Sequence, residues 1–137
     1  HTAAFPGIAL FGFEELTRPK VPVEPQWTGR GLAPWQLRRI ADHVRSNLDR
    51  SIPLSELAQI ARLSRFHFCT AFRLATGLTP GEWMTEARIR RAAELLGEFE
   101  LSITEIALEV GYETPSSFTA RFRQCMGMTP SEYRRSI

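Results

Sequence analysis

Apolar positions recur at helical spacing along most of this chain. Leu37, Ile40, Ala41, Val44 and Leu48 fall at i, i+3, i+4, i+7 and i+11, which predicts one helix face from Pro34 to about Asp49. Pro34 suits a first helical position. A short helix is expected from about Glu56 to Arg62, with Ser55 as its N-cap and Glu56 complementing the helix dipole. Ser64 opens another helix that runs to Thr76 and stops at Gly77. Thr79-Pro80-Gly81-Glu82 reads as a capping box, opening a helix that runs to about Leu96 and ends at Gly97. Thr104-Glu105 then opens a short helix ending at Gly111, and Thr114-Pro115 opens one ending at Gly127. Thr129-Pro130-Ser131-Glu132 is a second capping box. No alternating β-branched run follows residue 33, so the fold class is all-α, with about seven helices.

Residues 1–33 differ. Pro19, Pro22 and Pro25 disfavour helix and read as an extended linker. The apolar stretch from Phe5 to Leu16 is open to three readings: a strand, the last piece of an upstream domain, or a flap on the domain that follows. We therefore treat 1–33 as an N-terminal extension or linker, or the remnant of an upstream domain. The first residue is His1 rather than Met, so the chain is expected to be a fragment or a processed form.

The helical part contains an internal repeat. At an offset of 50, Ser64 matches Thr114, Phe68 matches Phe118, Phe72 matches Phe122 and Arg73 matches Arg123. At the same offset Gly77 matches Gly127, Thr79-Pro80 matches Thr129-Pro130, Glu82 matches Glu132 and Trp83 matches Tyr133. Upstream the offset is 49, pairing Glu56, Leu57 and Ala58 with Glu105, Ile106 and Ala107. The one-residue change falls in the turn between the two short helices, where insertions are tolerated. Each repeat is thus a short helix, a tight turn and a second helix: a helix-turn-helix, whose second helix characteristically enters the DNA major groove. A plain helical bundle would also use Ala and Phe in this way. Caps, stops and aromatics recurring together and in order favour the helix-turn-helix. Its first copy is placed at 54–77 and its second at 104–127, joined by the linker helix 80–96. A rod of seventeen residues spans roughly 25 Å, against ~34 Å between successive major grooves on one face of DNA. The expectation is one chain reading two adjacent grooves.

With Phe68 and Phe72 buried, the first reader helix turns out Arg65, Phe66, Cys69, Thr70 and Arg73. The second turns out Pro115, Ser116, Thr119, Ala120 and Arg123. These side chains are small, hydroxylated, apolar or arginine, and none is acidic. An ordinary solvated face would carry Glu and Lys. Hydroxyls bond base edges, and Phe, Pro or Ala can meet a thymine methyl. The base-facing candidates are Arg65, Phe66, Cys69, Thr70, Pro115, Ser116, Thr119 and Ala120. Arg73 and Arg123 are assigned to phosphate, with Ser64 and Thr114 marking helix N-termini suited to a phosphate oxygen. Arg38 and Arg39 follow as weaker phosphate candidates.

There are 17 basic against 15 acidic residues, a formal net of +2, and every basic residue except Lys20 is arginine. That balance excludes a polybasic coating protein but not a localised basic face. No apolar run reaches membrane-spanning length and no secretory signal is visible, so no membrane partner is expected. Cys69 and Cys125 cannot build a disulfide scaffold or a four-cysteine zinc site. No paired carboxylates or Ser/His/Asp grouping is visible, so no enzyme activity, cofactor or metal is expected. His67 reads as a capping or core-edge residue, and Cys125, matching Ala75, as core.

The sequence resembles the C-terminal DNA-binding domain of the AraC family of bacterial transcription regulators. The first half carries Leu57-Ala58 and Leu63-Ser64-Arg65-Phe66-His67-Phe68. The second carries Ile106-Ala107-Leu108-Glu109-Val110-Gly111-Tyr112, Phe118, Phe122-Arg123, Gly127, Thr129-Pro130 and Tyr133-Arg134. The resemblance covers about residues 34–137. It implies a seven-helix domain with two helix-turn-helix units, a double-stranded DNA partner, and transcription regulation in the cytoplasm at the nucleoid. Activation through contact with RNA polymerase is the commonest mode it implies, often with an upstream effector or dimerisation domain. Three departures stand out. Thr70 and Ala120 occupy positions where the family often has arginine. Arg121, one residue later, faces inward or sideways on the helical count. Arg62 stands where the second half has Gly111, and a non-glycine there costs ~1 kcal/mol if the turn needs positive φ. The alternative function is a protein-interaction module of a larger regulator, with only one helix-turn-helix reading DNA.

Overall fold

The structure is a computed structural model that describes residues 31–137. The readings made on residues 1–30 lie outside the described residues. The described chain forms seven helices: α1 Pro34–Ser46, α2 Leu54–Ala61, α3 Arg65–Thr76, α4 Pro80–Leu95, α5 Ile103–Glu109, α6 Pro115–Met126 and α7 Pro130–Ser136. No strand occurs among the described residues. The helices divide between two compact units: the boundary within α4 falls between Met84 and Thr85, and residues 48–51, between α1 and α2, belong to the second unit.

In the first unit, α1 buries Ile40, Ala41 and Val44, and α2 buries Leu57, Ala58 and Ala61. Pro34 takes the first helical position of α1. The Gln36 side chain accepts from the Ala33 N–H (2.7 Å) and donates to the Ala61 carbonyl (2.7 Å), so one amide satisfies the start of α1 and the end of α2. α1 stops at Ser46 rather than Asp49, because Asn47 closes it: its side-chain amide donates to the His43 carbonyl (2.8 Å). Leu48 keeps the apolar rhythm and is buried, but outside the helix. α2 begins earlier than expected. Its N-cap is Pro53, in extended conformation, so Ser55 lies inside the helix and caps nothing. Glu56 turns to His43, with which its carboxylate forms a hydrogen bond.

The second unit has its core in Ile89, Ala92, Leu96, Ile106, Ala107, Val110, Phe118, Phe122 and Met126. Thr104 does not open α5. Ser102 does, by a reciprocal box in which its hydroxyl accepts from Glu105 N–H (3.0 Å) and Glu105 accepts from Ser102 N–H (2.7 Å). The two expected boxes form with near-identical geometry at Thr79/Glu82 and Thr129/Glu132. Arg134 of α7 donates to the Leu96 and Glu98 carbonyls at 3.0 and 3.2 Å, tying α7 to the end of α4.

The repeat extends to the turn between the two short helices. Arg62 N–H bonds the Gln59 carbonyl and Leu63 N–H the Ala58 carbonyl; Gly111 and Tyr112 make the same pair to Leu108 and Ala107. Both turns are Schellman closures, which require a left-handed residue. Arg62 adopts φ 62° and Gly111 φ 91°. Arg62 bears the local cost of this backbone, and its side chain is exposed, so no packing clash is added. Gly111 has no such freedom: a Cβ there would collide with the Arg88 guanidinium and the Leu48 carbonyl. Arg88 donates to the carbonyls of Leu48, Val110 (3.0 Å) and Arg50 (3.0 Å), fastening residues 48–50 to the end of α5. Burial pulls its pKa below the usual guanidinium value, against the opposing pull of Tyr112 and Asp49.

Two stability predictions follow from this packing. Phe122→Ala, which empties a fully buried site, should lose about 3–5 kcal/mol in denaturant unfolding, and an unchanged midpoint would place Phe122 outside the core. Gly111→Ala combines the φ penalty with the collision and should lose more than the ~1 kcal/mol of backbone strain alone. A loss below that figure would contradict the packing of Arg88.

Candidate nucleic-acid interface

α3 and α6 are built alike. Ser64 caps α3 by accepting from His67 N–H (3.2 Å), and Thr114 caps α6 by accepting from Ser117 N–H (3.1 Å). Gly77 and Gly127 close them at φ 81°, bonding the Arg73 and Arg123 carbonyls at 2.8 Å. A Cβ at either glycine would meet nothing, so the left-handed backbone alone demands glycine.

Rotation about each helix axis is set by buried aromatics. Phe68 and Phe72 are fully buried and stack at 5.6 Å between centroids; Phe72 then meets Trp83 edge-on at 5.7 Å. Phe118, Phe122 and Tyr133 repeat the ladder at 5.7 Å per step, and Tyr112 extends it onto Phe118. With those faces inward, Arg65, Phe66, Thr70 and Arg73 are exposed on α3 and Cys69 is half-buried. On α6, Pro115, Ser116, Ala120 and Arg123 are exposed and Thr119 is half-buried. Phe66 is the extreme case, 77% exposed. Thr70 spends its hydroxyl proton on the Phe66 carbonyl (3.2 Å), leaving the oxygen lone pairs and methyl outward.

The structure groups the α6 candidates: Pro115, Ser116, Thr119, Ala120 and Arg123 line one shallow concavity. It adds Gln124, which the sequence reading passed over although it lies four residues beyond Ala120 on the same face. The Ser64 and Thr114 hydroxyls are engaged as caps, so their part at a phosphate would fall to the remaining N–H groups of the first turn. Neither α3 nor α6 has an acidic residue in its first turn, whereas α4, α5 and α7 each do. Arg73 and Arg123 are exposed near the helix C-termini. Arg123 lies near enough to Glu132 to help lower that carboxyl's pKa, after the larger effect of the Thr129 N–H and hydroxyl.

Three other expectations are narrowed. Arg121, expected inward or sideways, is exposed and lies on the flank of α6; it bonds Gln124 (3.0 Å) and lines a separate polar concavity with Tyr112, Glu113 and Ser117. His67 is exposed, not at the core edge, with its Nδ1 3.0 Å from the Ser64 hydroxyl. Cys125 is half-buried at the edge of the core, where burial pushes its thiol pKa up. Among the described residues no cluster of three metal-binding side chains exists, and no helix is long and apolar enough to cross a membrane.

The family described as helix-turn-helix domain matches residues 57–136, more than half of the chain. The transcriptional activator AarP of Providencia stuartii is 32% identical over 93 residues, covering 68% of this chain and 69% of AarP. Among solved structures, an AraC-type DNA-binding domain protein from Chromobacterium violaceum is 25% identical with TM-score 0.69, covering 74% of this chain and 90% of that one. The chain belongs to the AraC-type helix-turn-helix family. This AraC-type domain is also similar to the C-terminal domain of AraT, a response regulator from Geobacillus stearothermophilus (31% identity, TM-score 0.70, 77% of this chain and 88% of that one). The DNA-binding domain of AdpA, solved in complex with a target DNA, is 29% identical with TM-score 0.66, over 71% of this chain and 87% of that one. The chain spans only part of longer relatives: 28% of a Haemophilus influenzae transcriptional regulator that is 37% identical over 84 residues.

Tyr112, in the turn ahead of α6, gives the domain a pH signature. Burial raises its phenol pKa above the ordinary value, partly opposed by Arg121 and Arg88. A raised folded pKa makes its contribution complete below the ordinary phenol range and progressively lost as pH climbs through the folded value. The wild-type domain should therefore lose stability at alkaline pH more steeply than Tyr112→Phe, as measured by thermal melts across that range. Parallel curves would show that Tyr112 ionises freely in the fold.

Proposed function

We propose that this chain is the DNA-binding part of a bacterial transcription regulator, reading base pairs with α3 and α6 in two successive major grooves. The observation that carries the reading is the repeated outward face. Twice, a capped helix with a locked aromatic spine presents small, hydroxylated, apolar and arginine side chains, with no carboxylate in its first turn. Phosphate is not repelled there, and hydroxyls, Phe66 and the α6 concavity offer contacts to base edges and thymine methyls. The likeness to the AdpA domain, solved on a target DNA, supports duplex DNA as the ligand. The likeness to AarP, a transcriptional activator, supports activation; RNA polymerase as the protein partner and the bacterial cytoplasm as the compartment belong to the same proposal.

Short side chains at Thr70 and Ala120 shift the discrimination onto neighbours. Ser116, Thr119 and Gln124 on α6, and Arg65 and Phe66 on α3, would carry the sequence preference. A second reading makes α3 a protein-docking helix, with α6 alone on DNA. What favours it is the apolar exposure of α3, where Phe66 and Leu74 are both largely uncovered. Salt separates the two, since groove binding with several phosphate contacts weakens steeply as salt rises, and an apolar helix contact does not.

Arg73→Ala and Arg123→Ala should each weaken duplex binding across many sequences and reduce the log–log salt slope by about one. Thr119→Ala should instead alter preference at one or two base pairs. Titrations at several salt concentrations check both. Unchanged affinity of Arg123→Ala at every salt would remove the phosphate assignment.

A further inference from the structure

The strained Arg62 and the exposed Trp35 belong to one arrangement that the reader helices do not use. Trp35 and Arg39 lie four residues apart on α1, so they share a face. Arg62 closes α2 two residues before the Ser64 cap of α3. The guanidinium carbons of Arg39 and Arg62 each sit 5.8 Å from the Trp35 ring centroid. Trp35 is 40% exposed, and both arginines are exposed. Among the described residues neither Arg39 nor Arg62 pairs with a carboxylate.

We propose that Arg39 and Arg62, shelved on Trp35, clamp a DNA backbone phosphate beside the first helix-turn-helix. Two cations gathered at one exposed ring make a locally positive surface that favours a bound anion. Stacking pre-orders the two planar forks, so less side-chain entropy is lost when they bond a phosphodiester. The backbone agrees: Arg62 keeps a left-handed conformation (φ 62°) where the second repeat has glycine. The Schellman closure requires that conformation, and an arginine meets it at a backbone cost glycine would not bear, placing its side chain at the Trp35 ring. The second repeat cannot have the same device, since Arg88 fills the space a side chain at Gly111 would need. The clamp therefore marks one half of the domain and gives it a direction on the duplex.

The inference rests on the DNA-binding reading, and Arg62→Gly tests it without destabilising the fold. Glycine relieves the positive φ, so the melting temperature should hold or rise. The full chain would be titrated at several salt concentrations against a duplex carrying the sequence enriched by selection. Arg62→Gly should bind about three- to tenfold more weakly, with a salt slope shallower by about 0.9. Combined with Arg39→Gln, the slope should fall by about twice that amount. Arg62→Lys, which keeps the charge, should recover most of the slope. If wild type binds the duplex and the Arg62→Gly and double variants match it in affinity and slope, the clamp is wrong while the DNA reading stands. Loss of binding to an acidic protein surface, with DNA binding unchanged, would overturn it equally. If wild type binds no duplex at any salt, the DNA reading falls and the clamp with it.

Discussion

A buried phenylalanine pair, four residues apart, fixes the orientation of each reader helix. Phe68 and Phe72, like Phe118 and Phe122, are fully buried and pass their contact to an aromatic on the helix that follows, Trp83 or Tyr133. An interior this well packed leaves no slack for the helix to roll. Arg65, Phe66 and Thr70, or Ser116, Ala120 and Arg123, are then outward because of what lies on the opposite side of the helix. The outward residues are free to vary in chemistry while the inward ones hold the frame, so one scaffold can present two different faces.

The turns ahead of the reader helices show the same geometry reached by different means. Both need a left-handed residue to complete the Schellman closure. In the second unit the closure is crowded by Arg88, whose guanidinium collects three carbonyls from two chain segments, and glycine is forced by space as well as by φ. In the first unit the position is open, and the arginine there reaches the Trp35 ring. A one-residue difference between repeats thus converts a packed joint into an outward, charged one.

Much of this was legible in the residues. Ser64, Thr79, Thr129, Gly77 and Gly127 carry their instructions locally, and each sits where its spacing placed it. The left-handed turn at Arg62 was visible only by laying it against Gly111. The helix starts that misled did so for local reasons. Ser55 and Thr104 are good capping residues, but Pro53 had already ended the extended segment and Ser102 has its glutamate partner at the correct spacing. Arg88 and the Trp35 shelf were not legible. Arg88 reaches a carbonyl forty positions away, and no short-range pattern reports a long-range bond. Gln124 is within reach of the helical count: it shares a turn with Arg123 and continues the line of Ser116 and Ala120 at i+4 spacing.

The near-balance of 17 basic and 15 acidic residues also resolves into placement. Glu82, Glu105 and Glu132 serve as reciprocal caps at helix starts, while the outward faces of α3 and α6 keep arginines. A small net charge with local clearing favours binding that depends on site over binding to any polyanion. The central claim is that both repeats read DNA. Selection of bound duplexes from a random pool, using the full chain at moderate salt, tests it directly. Two short blocks of base preference about one helical turn apart are predicted. A single block, or a pool that gains no sequence at all, would contradict it.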